Sequence, residues 1–113
     1  MYLEFQHMSL DSWVLLTLTC DVEMASAPKL RQEVASLVAK GRYYLILDMT
    51  AVDFIDSTGL GVLVGALRRV RVHGGDLALV CPDFRLKNVF RSCDLDRIFA
   101  LHDTVDEALG VGK

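Results

Sequence analysis

The chain carries no excess of positive charge. Twelve Lys and Arg against fifteen Asp and Glu leave 113 residues with a net charge of −3. No long-range field of the kind that gathers nucleic acid or anionic lipid is therefore expected, and a protein partner or a small ligand is the better expectation. Cysteine is scarce: Cys20, Cys81 and Cys93 form no C-x-x-C pair, and their odd number leaves one thiol over in any pairing scheme, so the cytoplasm is the expected compartment. His7, His73 and His102 are scattered without metal-ligand spacing to one another or to the cysteines, and each reads as a surface or turn residue. Long apolar runs are missing too, since stretches such as Leu77–Cys81 fall far short of the roughly 20 residues that cross a bilayer as a helix. The amino terminus has Glu4 and no basic residue ahead of an apolar core, which does not read as a secretory signal. With two prolines, no internal repeat and no linker-like segment, one domain over residues 1–113 is expected.

What the chain does contain is apolar material: 52% hydrophobic residues beside 24% charged, a balance that excludes a disordered tail and supports one packed core. Two extended segments come first, Tyr2–Met8 and Trp13–Thr19, joined by a hairpin through Ser9–Ser12. A helix then opens at Ser26 as N-cap, with Pro28 in its first turn, Leu30, Val34, Leu37 and Val38 as its buried stripe and Gly41 as its stop. Tyr43–Met49 reads as a central strand, Thr58–Val72 as a second helix ended by Gly74-Gly75, and Asp76–Cys81 as a further strand. A helix after Asp83 with Leu86, Val89 and Phe90 inward, a short strand over Ile98–Leu101, and a last helix opened by the capping box Thr104–Glu107 complete the order ββαβαβαβα. That order predicts an α/β fold with a mostly parallel sheet and an antiparallel N-terminal hairpin at one edge.

The segment Asp48–Gly61 (DMTAVDFIDSTGLG) leads out of the buried strand into a helix, where unpaired backbone N–H groups make a local positive end. Ser57 is expected there as N-cap, its hydroxyl accepting a hydrogen bond. A phosphate on it would be held by the same N–H groups. Gly59 and Gly61 are expected to leave the first turn uncluttered, so that another protein can approach closely. The plain alternative is that Asp-Ser-Thr-Gly only begins a helix.

Taken with Ala25–Leu30 (ASAPKL), Leu45–Met49 (LILDM), Val52–Leu60 (VDFIDSTGL), Arg68-Arg69 ahead of Gly74-Gly75, and Asp106–Leu109 (DEAL), the chain resembles the STAS family over nearly its whole length. The resemblance is in particular to the bacterial anti-sigma-factor antagonists. It implies a regulator rather than an enzyme, with no cofactor and no metal. The serine matching Ser57 is phosphorylated in that family by a partner that is both anti-sigma factor and serine kinase, of the histidine-kinase-like ATPase type. The dephosphorylated antagonist binds this partner and frees the sigma factor, the phosphorylated one does not bind, and a serine phosphatase resets the cycle. The same resemblance assigns partner binding to Glu23, Asp53, Asp56, Ser57, Thr58, Gly59 and Gly61, without direct contact to nucleic acid or membrane. The chain departs from the family at Cys20–Glu23, where Gly-Glu-hydrophobic-Asp is usual: Glu23 keeps the charge one methylene longer, and Cys20 implies a changed turn.

Other patterns compete. Gly59-x-Gly61-x-x-x-Gly65 approaches a dinucleotide fingerprint, but Val64 stands where its third small residue belongs. Asp48 at a strand end suggests a phospho-acceptor or nucleophile, yet Thr50 occupies the place of the second aspartate that a phosphatase of that type needs. Arg68, Arg69 and Arg71 are better explained by the carboxyl end of a helix than as a nucleic-acid patch. The alternative function is a STAS scaffold with another client, as a subunit of a stressosome or of a lipid-transport complex.

Overall fold

Five strands form one sheet in the sequential order β1-β2-β3-β4-β5 in the computed structural model, which describes residues 5–10 and 12–110. β1 (Phe5–Leu10) pairs antiparallel with β2 (Trp13–Leu18), while β3 (Tyr44–Asp48), β4 (Asp76–Val80) and β5 (Leu101–His102) follow in parallel. The helices are α1 (Ala27–Ala39), α2 (Ser57–Val72), α3 (Phe84–Ser92) and α4 (Val105–Ala108), with one 3-10 turn at Leu95–Arg97 before β5. The expected ββαβαβαβα order and edge hairpin are both present.

Strand periodicity divides the core into two layers. Val14, Leu16, Leu18, Leu45, Leu47, Leu77 and Leu79 point to one face and pack with Leu30 and Val34 of α1, Leu63 and Leu67 of α2, and Leu86 and Phe90 of α3. The alternate residues Leu15, Ile46, Ala78 and Val80 point the other way, where Ala108 of α4 and the partly buried Trp13, Val105 and Leu109 cover them. Consecutive parallel strands joined by crossovers of one hand place α1, α2 and α3 on the same face. α1 and α2 therefore lie side by side, and the loops that precede them meet above the carboxyl ends of β2 and β3.

Several boundaries differ from the sequence expectation. β1 runs on through Ser9 and Leu10, and Leu10 pairs with Trp13; the expected start at Tyr2 lies outside the described residues. The last strand begins at Leu101 rather than Ile98, because the 3-10 turn carries the chain past Ile98 first. Val38 and Val89 are only partly buried, and α2 buries Val62, Leu63, Ala66, Leu67 and Val70. Both long helices end in Schellman geometry. Gly41 (φ +82°) donates to the Val38 carbonyl as Arg42 donates to Leu37, and Gly74 (φ +78°) donates to Arg71 as Gly75 donates to Val70.

Candidate functional site

The β2–α1 and β3–α2 loops are joined by an isolated parallel bridge between Val22 and Ile55, in which Val22 N–H donates to the Phe54 carbonyl (3.1 Å) and Asp56 N–H to the Val22 carbonyl (3.2 Å). Two carboxylates fasten the junction from opposite sides. Asp21 Oδ1 accepts from the N–H groups of Asp53 (2.8 Å) and Phe54 (3.1 Å). Asp56 accepts from Gly59 N–H through Oδ1 (2.8 Å) and from Met24 N–H through Oδ2 (2.9 Å). The terminus of α2 is thus tied to the loop bearing Glu23 and Met24, and Val22, Met49, Val52 and Ile55 anchor both loops in the core.

Asp56, not Ser57, is the N-cap of α2. Its backbone is extended (φ −99°, ψ −178°) and its short carboxylate reaches the third helical N–H, which leaves Ser57 as the first helical residue, exposed and free of capping duty. Ser57 and Thr58 N–H groups have no acceptor among the described residues, as expected at the open end of a helix. Ser26 likewise does not cap α1. Its buried hydroxyl donates to the Asp21 carbonyl (2.8 Å) and accepts from Glu23 N–H (3.0 Å), shaping the β2–α1 loop instead.

The two glycines of the first turns differ in kind. A Cβ on Gly59 would lie 2.5 Å from the Val22 carbonyl oxygen and 2.8 Å from Ile55 Cγ1, so the close approach there is made by the chain's own backbone, correcting the expectation of an open surface. Gly61 does face open space, with nothing within 4 Å. Asp53 is exposed, and Glu23, Asp56 and Thr58 are half-buried. Glu23, Asp53, Asp56 and Ser57 are gathered at one end of the sheet, with Gly61 one turn along α2. Asp21 is the residue that sequence reasoning left out. Its signal was the acidic position two residues before Glu23 in the family pattern, but nothing local showed that it would hold the opposite loop.

The competing patterns find structural roles. Asp48 Oδ1 accepts from Thr50 N–H (3.0 Å) and Oγ1 (2.5 Å), closing the turn after β3. Gly59, Gly61 and Gly65 lie inside α2 rather than in a strand-to-helix loop. His73 stacks on Tyr43 with ring centroids 4.3 Å apart, and Arg71 pairs with Asp76 (3.6 Å) and donates to the Ile98 carbonyl (3.3 Å). Among the described residues no group of three His, Cys, Asp or Glu side chains is placed to hold a metal ion, and no helix is long and apolar enough to cross a membrane. The thiols sit in unlike surroundings: Cys81 is buried and its pKa is pushed up to about 11, mainly by desolvation, whereas Cys93 is exposed.

The STAS domain pattern matches residues 6–108. A Thermotoga neapolitana protein described as a candidate anti-sigma factor antagonist is 43% identical over 70 residues, 62% of each chain. The chain thus spans less than two thirds of that relative's length. The anti-sigma-B factor antagonist of Listeria monocytogenes is 31% identical over 90 residues, 80% of this chain and 79% of its own. The crystal structure of a candidate anti-sigma factor antagonist from Thermotoga maritima superposes with a TM-score of 0.89 at 31% identity, covering 94% of this chain and 92% of that one. The fold is shared also with the Bacillus cell fate determinant SpoIIAA in its phosphorylated form, at 21% identity and a TM-score of 0.73 over 97% of this chain and all of the other. The chain belongs to the STAS domain family, among the anti-sigma-factor antagonists.

Proposed function

We propose that this protein is a partner-switching antagonist whose dephosphorylated form binds an anti-sigma factor and frees the sigma factor, and whose release is triggered by phosphorylation of Ser57. The anti-sigma factor is in this reading also the serine kinase, a histidine-kinase-like ATPase; a serine phosphatase restores the binding form, and the whole cycle is cytoplasmic. The carrying observation is the position of Ser57: exposed, relieved of capping by Asp56, and first in a 16-residue helix whose end is braced by two carboxylates. The family's names support the antagonist role, and a solved phosphorylated form of SpoIIAA supports the modification.

The physics of such a switch needs no large rearrangement. The open N–H groups of Ser57 and Thr58 and the helix dipole favour a phosphate there, so the modified helix stays folded. Outward, the same group adds about −1.5 to −2 charge beside Asp56 and near Asp53 and Glu23, and a partner must desolvate it or leave it unpaired. That penalty is several kcal/mol, and about 2.7 kcal/mol already weakens binding roughly a hundredfold. The protein in this reading is a substrate and ligand of enzymes and catalyses nothing itself.

The test is incubation with purified ATPase-type anti-sigma kinases and ATP, read by intact mass and phosphopeptide mapping, followed by calorimetry with the kinase that modifies Ser57. Unmodified protein and Ser57→Ala should bind about equally, Ser57→Asp more weakly, and phosphoserine most weakly. Phosphorylated protein that bound as tightly as unmodified protein would overturn the switch.

A further inference from the structure

A shallow groove of about 90 Å³ runs between α1 and α2 and shares only Gly61 with the site around Ser57. Arg31 and Val34 of α1 face Gly61, Gly65 and Arg69 of α2 across it, with Val62 and Ala66 also in its lining. Arg31 and Arg69 are exposed at its rim, and neither takes a hydrogen-bond or ion-pair partner among the described residues, whereas Arg71 and Arg85 do. Two guanidinium groups with unused planar donors, set across an apolar floor, favour carboxylates, which they can grip bidentately. The glycines add an independent argument from energy. Glycine inside a helix is unfavourable relative to alanine, and at Gly59 the chain's own packing compensates. Nothing compensates at Gly61 and Gly65, both with α-helical backbone and nothing within 4 Å of an added Cβ. Both leave the helix surface open to close approach from outside. The groove also continues the face that carries Ser57, since residues 57, 61, 65 and 69 follow one another at helical i, i+4 spacing.

We infer that this groove docks an acidic segment of the anti-sigma kinase, an apolar side chain resting over Gly61 and Gly65 with flanking Asp or Glu carboxylates held by Arg31 and Arg69. The inference rests on the proposed function and adds a second contact region, opposite in charge to the acidic rim around Ser57. A partner that must offer positive groups to Asp53 and Asp56 and negative groups to Arg31 and Arg69 is fixed in orientation, which is how complementary charge secures specificity.

The test uses the full chain and the kinase that modifies Ser57. Arg31→Glu and Arg69→Glu should each weaken binding by about tenfold at low salt, with the difference shrinking as ionic strength rises. Lys40→Glu, with the same charge change at the exposed end of α1, should stay within about twofold of wild type. Gly65→Leu should fill the groove and weaken binding by more than about tenfold, while better helix propensity raises Tm by roughly 2–5 °C. Loss of affinity together with a gain in stability is a result that damage to the fold cannot produce. Binding by all three groove variants within twofold of wild type, with phosphorylation of Ser57 still abolishing it, would overturn the groove and leave the switch standing. If the wild-type protein binds none of the kinases, the proposed function falls and the groove assignment with it. A concentration-dependent dimer in sedimentation that Gly65→Leu abolishes would assign the groove to a second copy of this chain and overturn the inference.

Discussion

Gly59→Ala separates the internal from the external role of glycine in α2. The substitution improves intrinsic helix propensity by at most about 1 kcal/mol, and less in the first turn. Against this, the new methyl would stand 2.5 Å from the Val22 carbonyl oxygen, 2.8 Å from Ile55 Cγ1 and 3.0 Å from Val22 Cγ1. The nearest of these is a backbone atom that cannot rotate away, so either α2 or the β2–α1 loop must shift. Overpacking of this kind costs about 1–3 kcal/mol. The shift also strains the Asp56–Val22 and Val22–Phe54 backbone bonds (3.2 and 3.1 Å), each worth about 1 kcal/mol. The net expectation is a loss of about 1–3 kcal/mol, read as a lowered urea midpoint with an unchanged m-value. Amide exchange at residues 22–24 and 54–56 should quicken more than at the sheet centre. Gly61→Ala, in the same helix with nothing in its way, should instead be stabilising. A Gly59→Ala protein as stable as wild type, or both alanines acting alike, would refute the packing argument.

Further expectations concern the loop junction and the thiols. Asp21→Ala removes the acceptor of two backbone N–H groups and should cost about 1–3 kcal/mol and speed exchange of the Asp53 and Phe54 amides, whereas Asp21→Asn, which keeps an oxygen for both, should lose much less; equal effects in exchange NMR would argue against the hydrogen-bond role. Ser57→Ala should change stability by less than about 0.5 kcal/mol while Asp56→Ala loses about 1–3 kcal/mol, because only the aspartate caps α2 and holds Met24; thermal melts that reverse the order would contradict the assignment of the cap. The Cys81 thiol is held neutral in the folded protein up to about pH 11 but ionises near 9.0 once unfolded. Its contribution is therefore fully present below pH 9 and is lost as pH rises from 9 towards 11, so Cys81→Ala should show a shallower decline of Tm over that window. In alkylation of the native protein at pH 8, Cys93 should react first and Cys81 last, and early labelling of Cys81 would contradict its burial.

The order of elements, the antiparallel edge, the two helix-ending glycines and the segment around Ser57 were legible in the residues. All rest on signals carried within a few positions: the short apolar run Tyr43–Met49, helical spacing in Leu30–Leu37, and Gly at Gly41 and Gly74 where a positive φ is required. The caps were less legible. Asp56 and Ser57 are both good caps by type, and the choice fell to the aspartate because its second oxygen also meets Met24 N–H from a loop 32 residues away. Ser26 was drawn off its helix in the same way by the Asp21 carbonyl and Glu23 N–H. Gly59 and Gly61 look equivalent in the chain, and only the proximity of Val22 makes one a packing necessity and the other an open surface. Asp21 and the Arg31–Arg69 groove join residues more than 30 positions apart. Local propensity determined which elements form and where Ser57 stands; the side-by-side packing of α1 and α2, set by the hand of the parallel crossovers, decided which residues brace the serine and which surface surrounds it.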